Sequence, residues 1–185
     1  MIGHWLYRDQ SRKLILFCNG WGMDHHPLEL LESGGYDMLV LSDYSTLELP
    51  VDIGILDANY QEINLICWSF GVWAGAQLFT GRQDMFARRI GVNGTLRPID
   101  DNYGIPHQFF DATLDHFSTS VRDRFYRRMC RSEGVLDLFL AHQPRRSLED
   151  QKYELQQLAG MVARCEPADS FFDTVIIASR DYIIP

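Results

Sequence analysis

Five short strand-like runs, separated by stretches of helical character, limit the folds that this chain can adopt. They cover residues 14–18, 37–41, 63–67, 89–93 and 174–178. The first is an uninterrupted apolar sequence that ends at the Asn19-Gly20 turn signal, which is typical of a strand buried on both faces. Helices are expected at 27–32 and 72–79. Strands that alternate with helices predict an α/β fold with a mostly parallel sheet and helices on both faces.

The stretch from about 108 to 165 has a different character from the rest of the chain. It combines helical periodicity with many charges and holds no convincing strand. Because it lies between the fourth and fifth strand-like runs, it is predicted to form an all-helical cap inserted before the last strand. A length of 185 residues suits one core, and no repeat or linker is visible. We therefore expect one domain, residues 1–185, that includes this cap.

Composition and charge exclude several classes of partner. The formal net charge of −8 argues against nucleic acid, because phosphate backbones favour basic surfaces. No apolar run approaches the ~20 residues that span a bilayer, and the first residues do not resemble a secretory leader. The four cysteines show no Cys-x-x-Cys spacing. These features predict a cytoplasmic protein that binds neither nucleic acid nor membrane.

Ser69 stands between the third strand-like run and an apolar helix, in the sequence Cys67-Trp68-Ser69-Phe70-Gly71. This is the position of the nucleophile elbow in α/β hydrolases, a sharp turn that needs small residues two places before and after the serine, and Ser69 is predicted to have a positive φ there. Gly71 meets that need, whereas Cys67 replaces the usual glycine. Free N–H groups at the start of the helix can stabilise a developing negative charge. The alternative is that Ser69 only caps the helix.

The loop after the first strand-like run is the expected source of a second oxyanion donor. It reads Asn19-Gly20-Trp21-Gly22, and its two glycines allow a bend that directs the backbone N–H of Trp21 toward a substrate oxygen. The N–H of Phe70 would lie beside it. The alternative is an ordinary glycine-containing connection between a strand and a helix.

Candidates for an acid and for a metal site are also present. Asp181 follows the fifth strand-like run, as the chain order Ser, Asp, His requires. Asp100 and Asp101, after the fourth run, are the other candidates, and Asp181 could instead be an ordinary turn residue. The segment 24–26, Asp-His-His, offers possible metal ligands without a further ligand at a recognisable spacing. We therefore expect a polar loop there, and no metal or cofactor.

Taken together, the motifs resemble the BioG-type pimeloyl-acyl-carrier-protein methyl ester esterases of biotin synthesis. The resemblance rests on residues 17–24, 68–74, 91–99, 104–106 and 179–185. It implies the α/β-hydrolase fold, with Ser69 as the nucleophile and Asp181 as the triad acid. It also implies the backbone N–H groups of Trp21 and Phe70 as oxyanion donors. The implied reaction is hydrolysis of the methyl ester of pimeloyl-acyl carrier protein, with release of methanol.

The chain departs from this family in its histidines. The family's histidine follows the acid, whereas all six histidines here precede Asp181. We therefore expect a truncated chain that lacks a last helix, a last edge strand and the general base, and that is inactive by itself. Two alternatives stay open: another acyl esterase or thioesterase on the same fold, and a non-catalytic hydrolase-like module that binds an acidic partner.

Arginines are concentrated in the predicted cap. Segment 119–146 holds seven arginines against three acids, whereas 14–81 holds no Lys or Arg. Spacings of three and four place four of the arginines on one helix face. They are Arg124, Arg127, Arg128 and Arg131. A solvated helix face is the ordinary explanation. An acyl carrier protein is strongly acidic, however, so this face is predicted to dock it near the mouth of the Ser69 pocket.

Overall fold

The computed structural model describes residues 1–168, 170–179 and 181–184, and within them six strands form one sheet in the order β1-β3-β2-β4-β5-β6. The strands are β1 (Ile2–Tyr7), β2 (Lys13–Cys18), β3 (Asp37–Ser42), β4 (Glu62–Trp68), β5 (Arg88–Val92) and β6 (Thr174–Ile176). Strand β1 is antiparallel to β3, and all other neighbouring strands are parallel. The predicted mostly parallel sheet is therefore confirmed.

Six α-helices accompany the sheet in the described part of the chain. They are α1 (Ile53–Asn59), α2 (Phe70–Phe79), α3 (His107–Asp115), α4 (Thr119–Cys130), α5 (Glu133–Ala141) and α6 (Leu148–Val162). The last four lie between β5 and β6, where the sequence predicts an all-helical insertion. We call α3 to α6, residues 107–162, the cap. No helix in the described ranges is long and apolar enough to cross a membrane.

Apolar side chains on the two faces of the central strands pack into separate buried clusters. In β2, the side chains of Leu14 and Leu16 pack into a buried cluster with residues of α1 and α2, whereas Phe17 packs into a separate cluster with β3. Every residue of β3 is buried. This arrangement explains the long apolar runs in the sequence, because a strand covered on both faces needs apolar residues at every position.

The structure differs from the sequence-based expectations at three points. The helix predicted at 27–32 is wrong: only a 3₁₀ turn, His26–Leu28, forms there. Leu28 packs partly against a buried cluster, but Leu30 and Leu31 are exposed, so this segment buries too little apolar surface to offset the cost of helix nucleation. Strand β1 and helix α1 were not anticipated. The fifth strand-like run forms a strand only over Thr174–Ile176.

Candidate active site

Ser69 occupies the turn between β4 and α2, and its backbone is in an uncommon conformation. Its φ is 55° and its ψ is −123°, which confirms the positive φ that the elbow prediction requires. A non-glycine residue with positive φ is strained and persists only where the surrounding structure imposes it. The Ser69 side chain makes no capping hydrogen bond to α2. Ser69 therefore stands at the N-cap position of α2 without the side-chain hydrogen bond of a capping serine.

Close backbone packing imposes this turn. A Cβ added to Gly71 would come within 3.0 Å of backbone atoms of Cys18 and Asn19 at the end of β2. A Cβ added to Gly94 would come within 3.0 Å of the Ser69 carbonyl oxygen. Both distances are shorter than real Cβ contacts allow, so only glycine lets the start of α2 lie against the ends of β2 and β5.

The cysteine that replaces the usual glycine of the elbow is accommodated by a second glycine. The Sγ of Cys67 lies over Gly75 in α2, where an added Cβ would overlap it. Cys67 is fully buried, and burial raises the pKa of its thiol well above the ordinary value, so the group stays neutral. The usual glycine at position 67 would have no side chain to accommodate. Here the side chain of Cys67 is accommodated because Gly75 has none.

The loop of residues 19–24, which we call the oxyanion loop, holds its shape through side-chain contacts. Asn19 Oδ1 accepts the N–H of Gly20 at 2.9 Å, and Asn19 Nδ2 donates to the Asp24 carbonyl at 2.8 Å. The backbone N–H groups of Trp21 and Phe70 find no acceptor among the described residues. Both N–H groups are therefore available to a ligand, as an oxyanion hole requires.

These groups meet in one cavity of about 450 Å³. Ser69, Trp21, Phe70 and Asp181 all line it. Its apolar wall comes mainly from the cap and includes Phe109, Phe110, Phe125, Met129 and Leu155. A largely apolar cavity of this size with a few polar groups on its wall is typical of a small-molecule site.

Asp181 lies in the lining of the same cavity as Ser69. One of its carboxylate oxygens accepts the N–H groups of Ile183 at 2.7 Å and Ile184 at 3.1 Å. One oxygen of the Asp181 carboxylate therefore has the turn function considered from the sequence. The other acid candidates lie outside the cavity lining. Asp100 accepts backbone N–H groups of its own loop, and Asp101 pairs with His107 at 3.3 Å.

Asn93, which the sequence analysis did not single out, fixes the segment that leads to Asp181. Its backbone N–H donates to Ile176 at 2.8 Å, and its Oδ1 accepts the N–H of Ala178 at 2.7 Å. Asn93 has a φ of 43° and lines the cavity. The Asn93-Gly94 pair after a strand is the signal that could have identified it, because asparagine tolerates positive φ. Arg180 and Pro185, which also carried the resemblance, lie outside the described residues.

The four cap arginines are all exposed, but they differ in their relation to the cavity. Arg128 and Arg131 line it, and both contact Tyr182. Arg128 donates to the Tyr182 carbonyl at 2.7 Å, and the Arg131 guanidinium lies 4.8 Å from the centre of the Tyr182 ring. Arg124 and Arg127 are not part of the cavity wall.

No histidine lines the cavity in the described part of the chain. Three histidines instead gather beside the oxyanion loop: the rings of His4 and His25 stack at 3.5 Å, and those of His25 and His26 lie 4.2 Å apart. Burial, and then the neighbouring His4 and His26, lower the pKa of His25. Asp24, His25 and His26 have ligand atoms within 4.8 Å of one another and could hold a metal ion. The Asp24 carboxylate, however, already accepts the backbone N–H groups of His26 and Arg145.

The sheet order and the strand–serine–helix turn define an α/β hydrolase. A peroxisomal α/β-hydrolase of Saccharomyces cerevisiae has the same fold, with a TM-score of 0.55 at 13% identity over 96% of this chain and 66% of that one. Within this class, the chain belongs to the pimeloyl-ACP methyl esterase BioG family, whose sequence model matches residues 3–185.

Two relatives show how far the similarity extends. The crystal structure of BioG from Haemophilus influenzae matches with a TM-score of 0.81 at 29% identity, over 91% of this chain and 76% of that chain. A malonyl-[acyl-carrier protein] O-methyltransferase of Bacteroides fragilis is 32% identical over 174 residues. That alignment covers 94% of this chain and 35% of the relative, so the chain spans about a third of that protein's length.

Proposed function

We propose that the protein containing this chain is a serine esterase that hydrolyses the methyl ester of pimeloyl-acyl carrier protein in biotin synthesis. One observation carries the proposal: Ser69 is held at positive φ in the wall of an apolar cavity, beside two backbone N–H groups that have no acceptor among the described residues. Family membership supports the choice of substrate.

The geometry supports acyl transfer in two stages. A general base takes the proton of the Ser69 hydroxyl, and Oγ attacks the ester carbonyl. The N–H groups of Trp21 and Phe70 stabilise the negative oxygen of the tetrahedral intermediate. Collapse of this intermediate releases methanol and leaves an acyl-enzyme. Water then cleaves the acyl-enzyme in the same way and frees the carboxylic acid.

We assign Asp181 to the orientation of the base, a histidine in enzymes of this type. The described lining of the cavity supplies Ser69 and Asp181 but no imidazole. We therefore propose that the 185-residue chain by itself is inactive or nearly so.

The cavity also suggests how a carrier-bound ester would approach. Aromatic and aliphatic side chains of the cap form a wall that suits an acyl chain, and Arg128 and Arg131 form part of the lining while remaining exposed to solvent. We propose that the face of Arg124, Arg127, Arg128 and Arg131 docks the acidic acyl carrier protein. Opposite charge would orient the carrier and raise the association rate.

The test uses the complete gene product and a pimeloyl methyl ester carried by acyl carrier protein. Methanol release and the mass of the carrier-bound product are followed for the parent protein, for Ser69→Ala and for Ser120→Ala, an exposed cap serine that serves as the control. Ser69→Ala should lower kcat by at least about a thousandfold, since only oxyanion and binding effects would remain. Ser120→Ala should behave as the parent.

Two results would contradict the proposal. Retention of more than about a tenth of the parent kcat by Ser69→Ala would remove this serine from the role of nucleophile. Turnover by the 185-residue chain with a kcat of about 1 s⁻¹ or more, as is typical of enzymes, would show that a group of this chain outside the described cavity lining acts as the base.

A further inference from the structure

Two polar side chains of the cap are buried against the oxyanion loop. Glu154 in α6 is fully buried, and Gln151, one helical turn earlier, is 2% exposed. Burying a carboxylate or an amide is costly unless its polar atoms are hydrogen-bonded. The partners of these two side chains therefore indicate why α6 carries them.

The Glu154 carboxylate connects three parts of the molecule. It accepts the N–H of Gly22 in the oxyanion loop at 3.1 Å and the N–H of Tyr44, after β3, at 2.9 Å. It also pairs with the Arg146 guanidinium, which is itself 3.2 Å from Asp43. Burial raises the pKa of Glu154, while Arg146 and the two backbone N–H groups oppose that rise. These partners compensate the buried charge.

Gln151 holds the same loop from the other side of the Gly22 residue. Its Nε2 donates to the Gly22 carbonyl at 2.8 Å and to the Tyr126 hydroxyl at 3.1 Å. The backbone carbonyl of Gln151 accepts the indole N–H of Trp21 at 2.9 Å. Both backbone polar groups of Gly22 and the side chain of Trp21 are thus attached to α6.

The loop needs such attachment around Trp21, because the side chain of Asn19 contacts only Gly20 and Asp24 within the loop. Trp21 stands between Gly20 and Gly22, and Gly22 has a φ of +73°. Glycine leaves the backbone many accessible conformations. With the polar groups of Gly22 directed to α6, the N–H of Trp21 is the one in Gly20-Trp21-Gly22 that has no acceptor among the described residues.

We propose that Glu154, together with Gln151, is a positioning residue that holds the Trp21 N–H where it can bind the oxygen of the tetrahedral intermediate. This inference rests on the proposed function. It makes α6 more than a wall of the cavity, because one helix of the cap would then fix one of the two oxyanion donors. An oxyanion hole stabilises charge through donors that are already in place before the reaction.

The test replaces Glu154 by glutamine in the complete protein. Glu154→Gln keeps the shape of the side chain, but its terminal amide nitrogen cannot accept a hydrogen bond. The N–H of Gly22 or that of Tyr44 therefore loses its partner, and in either orientation the ion pair with Arg146 that anchors this side chain is lost. The kcat for a small free methyl ester should fall about ten- to a hundredfold, as expected for a displacement of about 1 Å at a reacting centre. The KM should change by less than about threefold, because the apolar cavity wall is retained. Glu149→Gln, the same change at an exposed position of α6, should leave both constants unchanged.

A second measurement separates positioning from a merely structural role. A trifluoromethyl ketone forms a tetrahedral adduct with an active serine and places an oxyanion in the hole, whereas the matching methyl ketone binds largely as an unreacted ground-state ligand. Glu154→Gln should weaken inhibition by the fluorinated ketone about tenfold or more while leaving the affinity of the methyl ketone unchanged. A loss of folded protein alone would not alter the ratio of the two affinities.

The outcomes are decisive in both directions. An unchanged kcat and an unchanged inhibitor ratio in folded Glu154→Gln would overturn the proposal. If that variant does not fold, Gln151→Met, which removes the donor to the Gly22 carbonyl, must lower kcat and the ratio in the same way, and an unaltered Gln151→Met would overturn it. Failure of the proposed function is distinguishable, because it would appear as activity that survives Ser69→Ala.

Discussion

The contact between Cys67 and Gly75 gives a quantitative prediction. An alanine at position 75 would place its Cβ within 3.0 Å of the Cys67 Sγ, more than half an ångström inside the ~3.5–4.0 Å at which heavy atoms pack. In the absence of this clash, replacing a glycine inside a helix by alanine stabilises by about 1 kcal/mol. The sign of Gly75→Ala therefore depends on what occupies position 67.

The expected magnitude follows from the two contributions. Overpacking a well-packed core costs about 1–3 kcal/mol, so Gly75→Ala should be destabilising by up to about 2 kcal/mol in the parent chain. With Cys67→Ala, the nearest atom on residue 67 becomes its Cβ, 3.7 Å from the added methyl group, which is an ordinary contact. In that background Gly75→Ala should stabilise by about 1 kcal/mol. The coupling free energy between the two positions should be about 1–3 kcal/mol.

The measurement is a double-mutant cycle by urea unfolding of the parent, both single variants and the double variant. Gly134→Ala in α5 is the control, because no heavy atom lies within 4 Å of the position that its Cβ would occupy. It should be neutral or slightly stabilising whether residue 67 is cysteine or alanine. Equal effects of Gly75→Ala in the two backgrounds would refute the compensation argument.

Two other predictions concern charge. The pKa of His25 in the folded protein lies below its ordinary value of 6.5. Below pH 6.5 the unfolded chain therefore binds a proton at His25 more readily than the folded chain does. The free energy of unfolding should fall as the pH drops below 6.5. His25→Gln should flatten this dependence in urea titrations between about pH 7.5 and about pH 5.5, and an unaltered slope would contradict the assignment. Joint reversal of Arg124 and Arg127 to glutamate, on the same face but outside the cavity wall, should reduce turnover of the carrier-bound ester, more strongly at low salt, and spare a free methyl ester. Reversal of Arg12 and Arg82, which are exposed and outside the cavity lining, is the control. An equal loss from the control would contradict docking by the cap arginines.

The sheet and the elbow could be predicted from the sequence because their causes are local in the chain. Apolar runs such as 14–18 indicate a strand that is buried on both faces, and a small residue two places after a serine indicates a tight turn. The positive φ of Ser69 follows from that pattern. The expectation for 27–32 failed for the complementary reason: its apolar residues suggested a helical face, but tertiary structure offers nothing for Leu30 and Leu31 to pack against.

The attachment of the oxyanion loop could not be predicted, because its partners are about 130 positions away in the chain. Glu154 and Gln151 look like ordinary polar positions of an amphipathic helix, and no local pattern distinguishes them from exposed neighbours such as Glu149. Only the fold shows that they are buried against Gly22. Likewise, the family resemblance could suggest the Trp21 N–H as a donor but not what holds it in place.

The cap therefore has two connected parts, and this affects how variants in it can be interpreted. Arg128 and Arg131 lie on or just after α4, and the same helix carries Tyr126, whose hydroxyl accepts a hydrogen bond from Gln151. Gln151 in turn holds Gly22 beside the oxyanion donor. A change in α4 can thus lower turnover in two ways: it can weaken the binding of the acyl carrier protein, or it can displace the oxyanion loop. Loss confined to the carrier-bound ester identifies the first cause, because a displaced oxyanion donor would slow a free methyl ester equally.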